Sequence, residues 1–146
     1  MQGIERALIE WDLTRLVHSF CHYIDHGQYD ELVALFTPDG VFDRIGQALN
    51  GREEIADAFR NRHAFLTRHS VTNLLFTRVE ADEAEAKMYV ANFVGQTANG
   101  ELPVPYALPQ PAILEFHDTY RKTVDGWRIA CRKAFVVLKP DQTPGH

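Results

Sequence analysis

Between Ile4 and Asp25 the apolar residues Leu13, Leu16, Val17, Phe20, Cys21 and Ile24 return every three or four positions, the period of a helix with one buried face. Gly27 interrupts the pattern, and QYDELVALF (28–36) predicts a second, short helix that ends before Pro38. TPDG (37–40) is a turn signal, VFDRI (41–45) has the composition of a strand, and Gly46 marks the next turn. NGREEIADAFRNRH (50–63) predicts a third helix, with Asn50 as its cap, acids in its first turn, and Ile55 and Phe59 facing inward.

After residue 68 the period changes to two. HSVTNLLFTRVE (69–80), EAKMYVANFVGQT (85–97), AILEFHDTYRKTV (112–124) and WRIACRKAFVVL (127–138) are rich in strand-forming residues and separated by turn signals or one longer link. That link, ANGELPVPYALPQP (98–111), carries four prolines and predicts an ordered flap or a subunit contact rather than a strand. Helices first and a meandering sheet afterwards imply an α+β fold spanning residues 1–146 as one domain, with helices packed on one face of a curved sheet and a frayed tail over 139–146. Such a sheet leaves a hollow between itself and the helices.

Composition narrows the function classes. A chain of 146 residues with 45% apolar and 24% charged residues is that of an ordinary globular domain. The net charge of -5 gives no general attraction to phosphate backbones, and the one basic stretch, RNRHAFLTRH (60–69), is explained by cations at a helix end, so no nucleic-acid partner is expected. Apolar runs are too short for a membrane helix, the N-terminus lacks a secretory pattern, and Cys21 and Cys131 suit free thiols, which together predict a soluble cytoplasmic protein without a membrane partner. Neither cysteine has an adjacent base, no G-x-S-x-G turn occurs, and glycine-rich phosphate loops are absent.

HSFCHYIDHGQYDEL (18–32) is the stretch richest in candidate chemistry. His18, His22 and His26 lie opposite the apolar stripe of their helix, and the outer two are separated by about 12 Å along the axis, too far to share one ion. No metal site is expected. Ile4, Leu8 and Trp11 fall on the same outer face, which suggests cover by a second subunit in a homo-oligomer, a dimer or trimer. Asp25 sits at the last turn, where the helix dipole disfavours a carboxylate, so it is either a solvated terminal residue or one held there for another use.

YIDHGQYDELVALFTPDGVF (23–42), LNGREEIADAF (49–59), RHSVTN (68–73) and DGWRIACR (125–132), in this order and at these separations, resemble the SnoaL-like branch of the nuclear-transport-factor-2-like (NTF2-like) superfamily. The resemblance runs from Leu13 to Val137. It implies a cone-shaped, antiparallel or mixed sheet wrapped around a long helix, with an apolar pocket. It is a poor guide to substrate, because the superfamily includes dehydratases, a dehydrochlorinase, ketosteroid isomerase, polyketide cyclases and non-catalytic dioxygenase subunits.

In the dehydratase-like and dehydrochlorinase-like members an aspartate at the end of the first helix orients a histidine at the start of a central strand, positions that match Asp25 and His69. The dehydrochlorinase has an arginine five residues after the last-strand tryptophan, matching Arg132. Two departures concern the leaving group: Phe20 stands where the bile-acid dehydratase has a tyrosine, and Gly95 falls near the second histidine of scytalone dehydratase. The resemblance therefore implies either a cofactor-independent lyase or isomerase acting on a small hydrophobic cyclic or polyketide-like molecule, or a non-catalytic binding or accessory subunit. Asp25, His69 and Arg132 are the catalytic candidates, and Phe20, Tyr23, Ile24, Phe59, Asn73 and Asn92 the substrate-contact candidates. Asn73 is expected on the strand face of His69, because positions i and i+4 share a side. For Arg132 the charge alternation of WRIACRKAF predicts an outer face, against the inward role that the resemblance implies.

Overall fold

A 23-residue helix, α1 (Gly3–Asp25), buries Leu13, Leu16, Val17, Phe20, Cys21 and Ile24, the stripe its sequence period marks. The computed structural model describes residues 1–62, 65–96 and 101–141. The end of the expected tail, His63 of the expected third helix and the first residues of the proline link lie outside them. The short helix α2 (Tyr29–Val33) follows. A hairpin of β1 (Phe36–Arg44) and β2 (Gln47–Asn50) then leads into α3 (Gly51–Arg60). Four long strands complete the fold: β3 (Leu66–Val79), β4 (Glu83–Gly95), β5 (Ala112–Thr123) and β6 (Gly126–Leu138).

The six strands form one open sheet in the order β2-β1-β6-β5-β4-β3. All neighbouring pairs are antiparallel except β1 and β6, which run parallel, so the sheet is mixed. The expected α+β architecture is present: a curved sheet with α1 against β3 and β6, and α3 against β1 and β2. Core residues from both layers meet in one cluster that includes Phe20, Phe36, Phe42, Phe59, Met88, Phe116, Tyr120 and Ile129. Within it Phe20 makes edge-to-face contacts with Phe36, Phe42 and Phe116 at centroid separations of 6.3, 5.8 and 6.1 Å.

Several local expectations are corrected. β2 is a strand that its four residues do not announce. It exists because Ile45 and Gly46, at φ +51° and +84°, form a tight turn of the kind that matches strand twist. TPDG does not end an element: β1 runs through it, taking five residues from Phe36 to Val41 where β6 takes two from Ile129 to Cys131. Asn50 does not cap α3 with its side chain; its own N–H donates to Glu54 Oε2 at 3.2 Å, so the acid in the first turn does the satisfying.

Most important are the bulges. β3 gains one residue on β4 between Thr72 and Leu75, and another between Phe76 and Arg78, while β6 gains one on β5 around Ala130. Each extra residue switches which parity points inward. Asn73, at φ +53°, is the first extra residue and is exposed, bordering a shallow surface pocket with Lys87, Tyr89 and Glu115. The expectation that it shares the face of His69 fails for that reason. The bulge at Ala130 likewise turns Arg132 inward, where it is fully buried, so the expectation of an outer-face cation is corrected as well.

The proline link spans β4 to β5 as an ordered strap over the described residues 101–111, bridging through Gly95 and Tyr106. Gln96 N–H donates to Pro105 O, and Ala107 N–H to Val94 O, both at 2.9 Å. On α1 the outer residues Ile4, Leu8 and Trp11 are exposed, as are His18, His22 and His26. Among the described residues no helix is long and apolar enough to cross a membrane.

Gly40 is where the β1 bulge is tightest. An added Cβ would stand 3.0 Å from Thr37 O, 3.1 Å from Ile129 O and 3.1 Å from Phe36 Cβ, and two of these are backbone atoms that cannot step aside. Gly40→Ala is expected to destabilise the protein by about 1–3 kcal/mol, read as a lower urea midpoint at unchanged m-value.

Candidate active site

Asp25 ends α1, and its carboxylate lies against the start of β3. Oδ1 is 2.5 Å from His69 Nδ1 and accepts a hydrogen bond from Thr67 Oγ1 at 2.9 Å, while Oδ2 accepts from the His69 backbone N–H at 2.8 Å. The two side chains are nearly closed to solvent, 6% exposed for Asp25 and 8% for His69. Because β3 is an edge strand, an N–H of its outer margin is free to be taken by a side chain from the helix. Three donors thus converge on a carboxylate that the helix dipole alone would disfavour.

Burial pushes the Asp25 carboxyl upward, but the ring and amide hydrogen bonds of His69, the charge of His69 and the Thr67 hydroxyl outweigh it and hold the group below the ordinary aspartate range. Asp25 is therefore ionised at neutral pH and, able only to accept, selects the tautomer of the His69 ring that carries its proton on Nδ1. Nε2 is left with its lone pair, the arrangement of a positioned general base.

Next to His69, on the same face, stands Asn92, its direct partner in the β3–β4 ladder. Ile24, 9% exposed, lies one position before Asp25 on α1 and belongs to the core. Phe20 and Phe59, each 1% exposed, are buried deeper in the aromatic cluster and act as packing rather than as lining. Tyr23 is half-buried, packs against the core and also borders a groove on the outer side of α1 with Trp11, His18 and His22. Asn73 is on the opposite face, as described above.

Arg132 is sealed in the core. Nε and Nη2 donate to Asp118 Oδ1 and Oδ2 at 2.8 and 2.6 Å, and both side chains are 0% exposed. Its guanidinium carbon lies 4.3 Å from the Phe20 ring centre and 4.6 Å from that of Phe116. Tyr120 donates its hydroxyl to Asp118 Oδ2 at 2.5 Å. Burial and the Asp118 charge keep that phenol protonated, far above its usual range. Burial works against the Arg132 charge, but the Asp118 carboxylate more than compensates. Arg132 Nη1 has no partner among the described residues. Burial also pushes the Cys21 thiol up to about 11, with Arg132 pulling only part of the way back, so it is no thiolate nucleophile.

Thr67 and Asp118 were not singled out by the sequence, and Tyr120, read there as an aromatic of the sheet core, is indeed buried in it. Thr67 has a visible signal, two positions before His69 on the same strand parity. Asp118 has one only after the β6 bulge is known, because the register then sets it opposite Arg132.

The family profile of the SnoaL-like domain matches residues 5–133. This chain belongs to the SnoaL-like family. Among solved structures, an NTF2-like protein with a cystatin-like fold from Novosphingobium aromaticivorans is similar at 21% identity and TM-score 0.74, over 94% of this chain and 86% of that one. A provisionally named scytalone dehydratase from the same species, strain DSM 12444, is 17% identical at TM-score 0.74, with 98% of each chain covered. A provisionally named dehydratase of the NTF2-like family from Streptomyces avermitilis is 17% identical at TM-score 0.75, over 91% of this SnoaL-like chain and 99% of its own. At these identities the likeness is one of fold. No curated protein sequence matches the chain.

Two outcomes follow from this geometry. Since the Asp25 carboxyl is lowered in the folded state, its contribution to stability is complete above the unfolded value near 3.9 and is lost as pH falls through the lower folded value. The melting-temperature advantage of wild type over Asp25→Asn is thus expected to shrink as pH falls below about 4. Arg132→Met, which strands a buried Asp118, is expected to cost about 3–5 kcal/mol in urea unfolding, while Arg132→Met combined with Asp118→Leu regains most of that loss.

Proposed function

We propose that the protein is a cofactor-independent lyase of the dehydratase or dehydrohalogenase type, with His69 as general base and Asp25 as the residue that orients it. The observation that carries this reading is the 2.5 Å contact between Asp25 Oδ1 and His69 Nδ1, which leaves Nε2 as the free nitrogen. The substrate is a small hydrophobic cyclic or polyketide-like molecule whose C–H is acidified by a carbonyl. Nε2 takes that proton, the electrons of the C–H bond form the new C=C bond, and the bond from the adjacent carbon to hydroxyl or halide breaks. A leaving hydroxyl recovers a proton from the imidazolium and departs as water; a halide departs as the anion, and the imidazolium then loses its proton to solvent. Asp25 stabilises the imidazolium between these steps. If the enolate is instead reprotonated at another carbon, the same dyad performs an isomerisation.

Asp118 already neutralises most of the Arg132 charge, and only Nη1 remains to meet a developing oxyanion. That pairing, together with Phe20 in place of a hydroxyl donor, supports a second reading: a pocket that binds a small apolar molecule without converting it, alone or as an accessory subunit. The two readings separate on turnover of cyclic β-hydroxy ketones and β-halo ketones, followed by the appearance of the conjugated enone. The lyase reading expects His69→Ala and Asp25→Asn to lower kcat/KM by about 10²–10⁴. Turnover that is equal in wild type and both variants counts against the dyad, and tight binding with no conversion by wild type favours the second reading.

A further inference from the structure

We propose that Asn92 determines specificity at this site, accepting through Oδ1 a hydrogen bond from a hydroxyl group of the bound molecule. The inference rests on the reading of the concave face at His69 as the ligand site. Asn92 and His69 are paired across the β3–β4 ladder, so their side chains rise from one face with Cβ atoms about 4.5–5.5 Å apart. On its other side Asn92 pairs with Ala112 of β5, whose single methyl group takes up little of the space beside the amide.

Asn92 Oδ1 is buried and receives no hydrogen bond from any described residue. An amide oxygen left in that state has lost its hydration without a replacement, a standing cost to the fold. The rest of its row on β4 shows what the fold alone asks for: Ala84, Ala86, Met88 and Val90 are apolar and buried. An aliphatic residue at position 92 would continue this row without the penalty. The one polar interruption falls directly beside the base, where local rules are broken for a ligand rather than for stability.

What the oxygen lacks is a donor. His69 cannot be that donor in its resting form, because its ring proton is committed to Asp25 on Nδ1. A hydroxyl on the substrate, next to the C–H that faces Nε2, supplies the missing hydrogen; a halogen, a methyl group or a hydrogen atom does not. Sites with a buried polar group of this kind discriminate by leaving it unpaired when the wrong molecule binds, an effect that reaches 10⁴–10⁵ in the strongest cases. Among the leaving groups that the dyad chemistry allows, Asn92 therefore selects hydroxyl over halide.

The test is equilibrium binding by isothermal titration of two probes of nearly equal shape, 2-naphthol and 2-methylnaphthalene, which differ in the hydroxyl donor. Wild type is expected to bind 2-naphthol at least about tenfold more tightly, and Asn92→Leu, which keeps the volume and removes the acceptor, to lose that preference. Asn92→Ala serves for the same comparison if the leucine variant does not fold. Equal affinities in wild type, binding of neither probe, or a preference that survives the substitution overturns the proposal. These affinities do not depend on proton transfer. Turnover insensitive to His69→Ala would remove the lyase reading and leave a hydroxyl-selective Asn92 contact in place.

Discussion

One carboxylate joins the two layers of this protein where chemistry is possible. Asp25 stands at the negative end of a 23-residue helix, a position that repels it, and is kept there by three donors from the first turns of a single strand. The constraint works in both directions. It fixes where α1 stops relative to β3, and it fixes the tautomer and direction of the His69 ring. A helix shifted by one residue along its axis, about 1.5 Å, would break a bond of 2.5 Å and release the imidazole. The docking of the helix and the orientation of the imidazole therefore depend on the same set of contacts.

Much of this was legible in the sequence because it depends on local periodicity. The apolar stripe of α1 told which helix face is buried, and the misplacement of Asp25 told that something must compensate it. The change of period after residue 68 gave the four long strands. What could not be read was strand parity beyond a bulge. Asn73 and Arg132 were both assigned to the wrong face by counting in twos, and both errors have one cause, an extra residue between the reference position and the residue in question. No residue type marks Ala130 as such an insertion. The β2 strand escaped for a different reason: its turn uses Ile45 at positive φ, where a β-branched residue is disfavoured and only the pairing of the two strands makes up for it.

The Arg132–Asp118 pair is an ion pair built into the aromatic core. With two of its nitrogens on one carboxylate and its guanidinium in the corner formed by Phe20 and Phe116, Arg132 is as much a core residue as an ionic one. The aromatic cluster that would otherwise close around a gap closes around a planar cation, and Asp118 is in turn held by Tyr120. Phe20, compared at first with a hydroxyl donor in relatives, is here one side of that corner. Its role is to pack.

The double switch in β3 has a consequence for the kinds of change the strand tolerates. Thr67, His69 and Val71 face the helices from odd positions, Leu74 and Phe76 pack against the core from even ones, and Val79 returns to odd. The strand behaves like a text with two frameshifts. Loss of the single codon for Asn73 would restore a plain alternation, with Leu74 opposite Met88 and Phe76 still opposite Ala86, both inward, and leave the imidazole where it is, whereas loss of Arg68 would set the imidazole at an outward position relative to Thr67. The strand thus has a point where a residue can be lost without changing what faces the core, and it lies beyond the stretch that is bound to the helix.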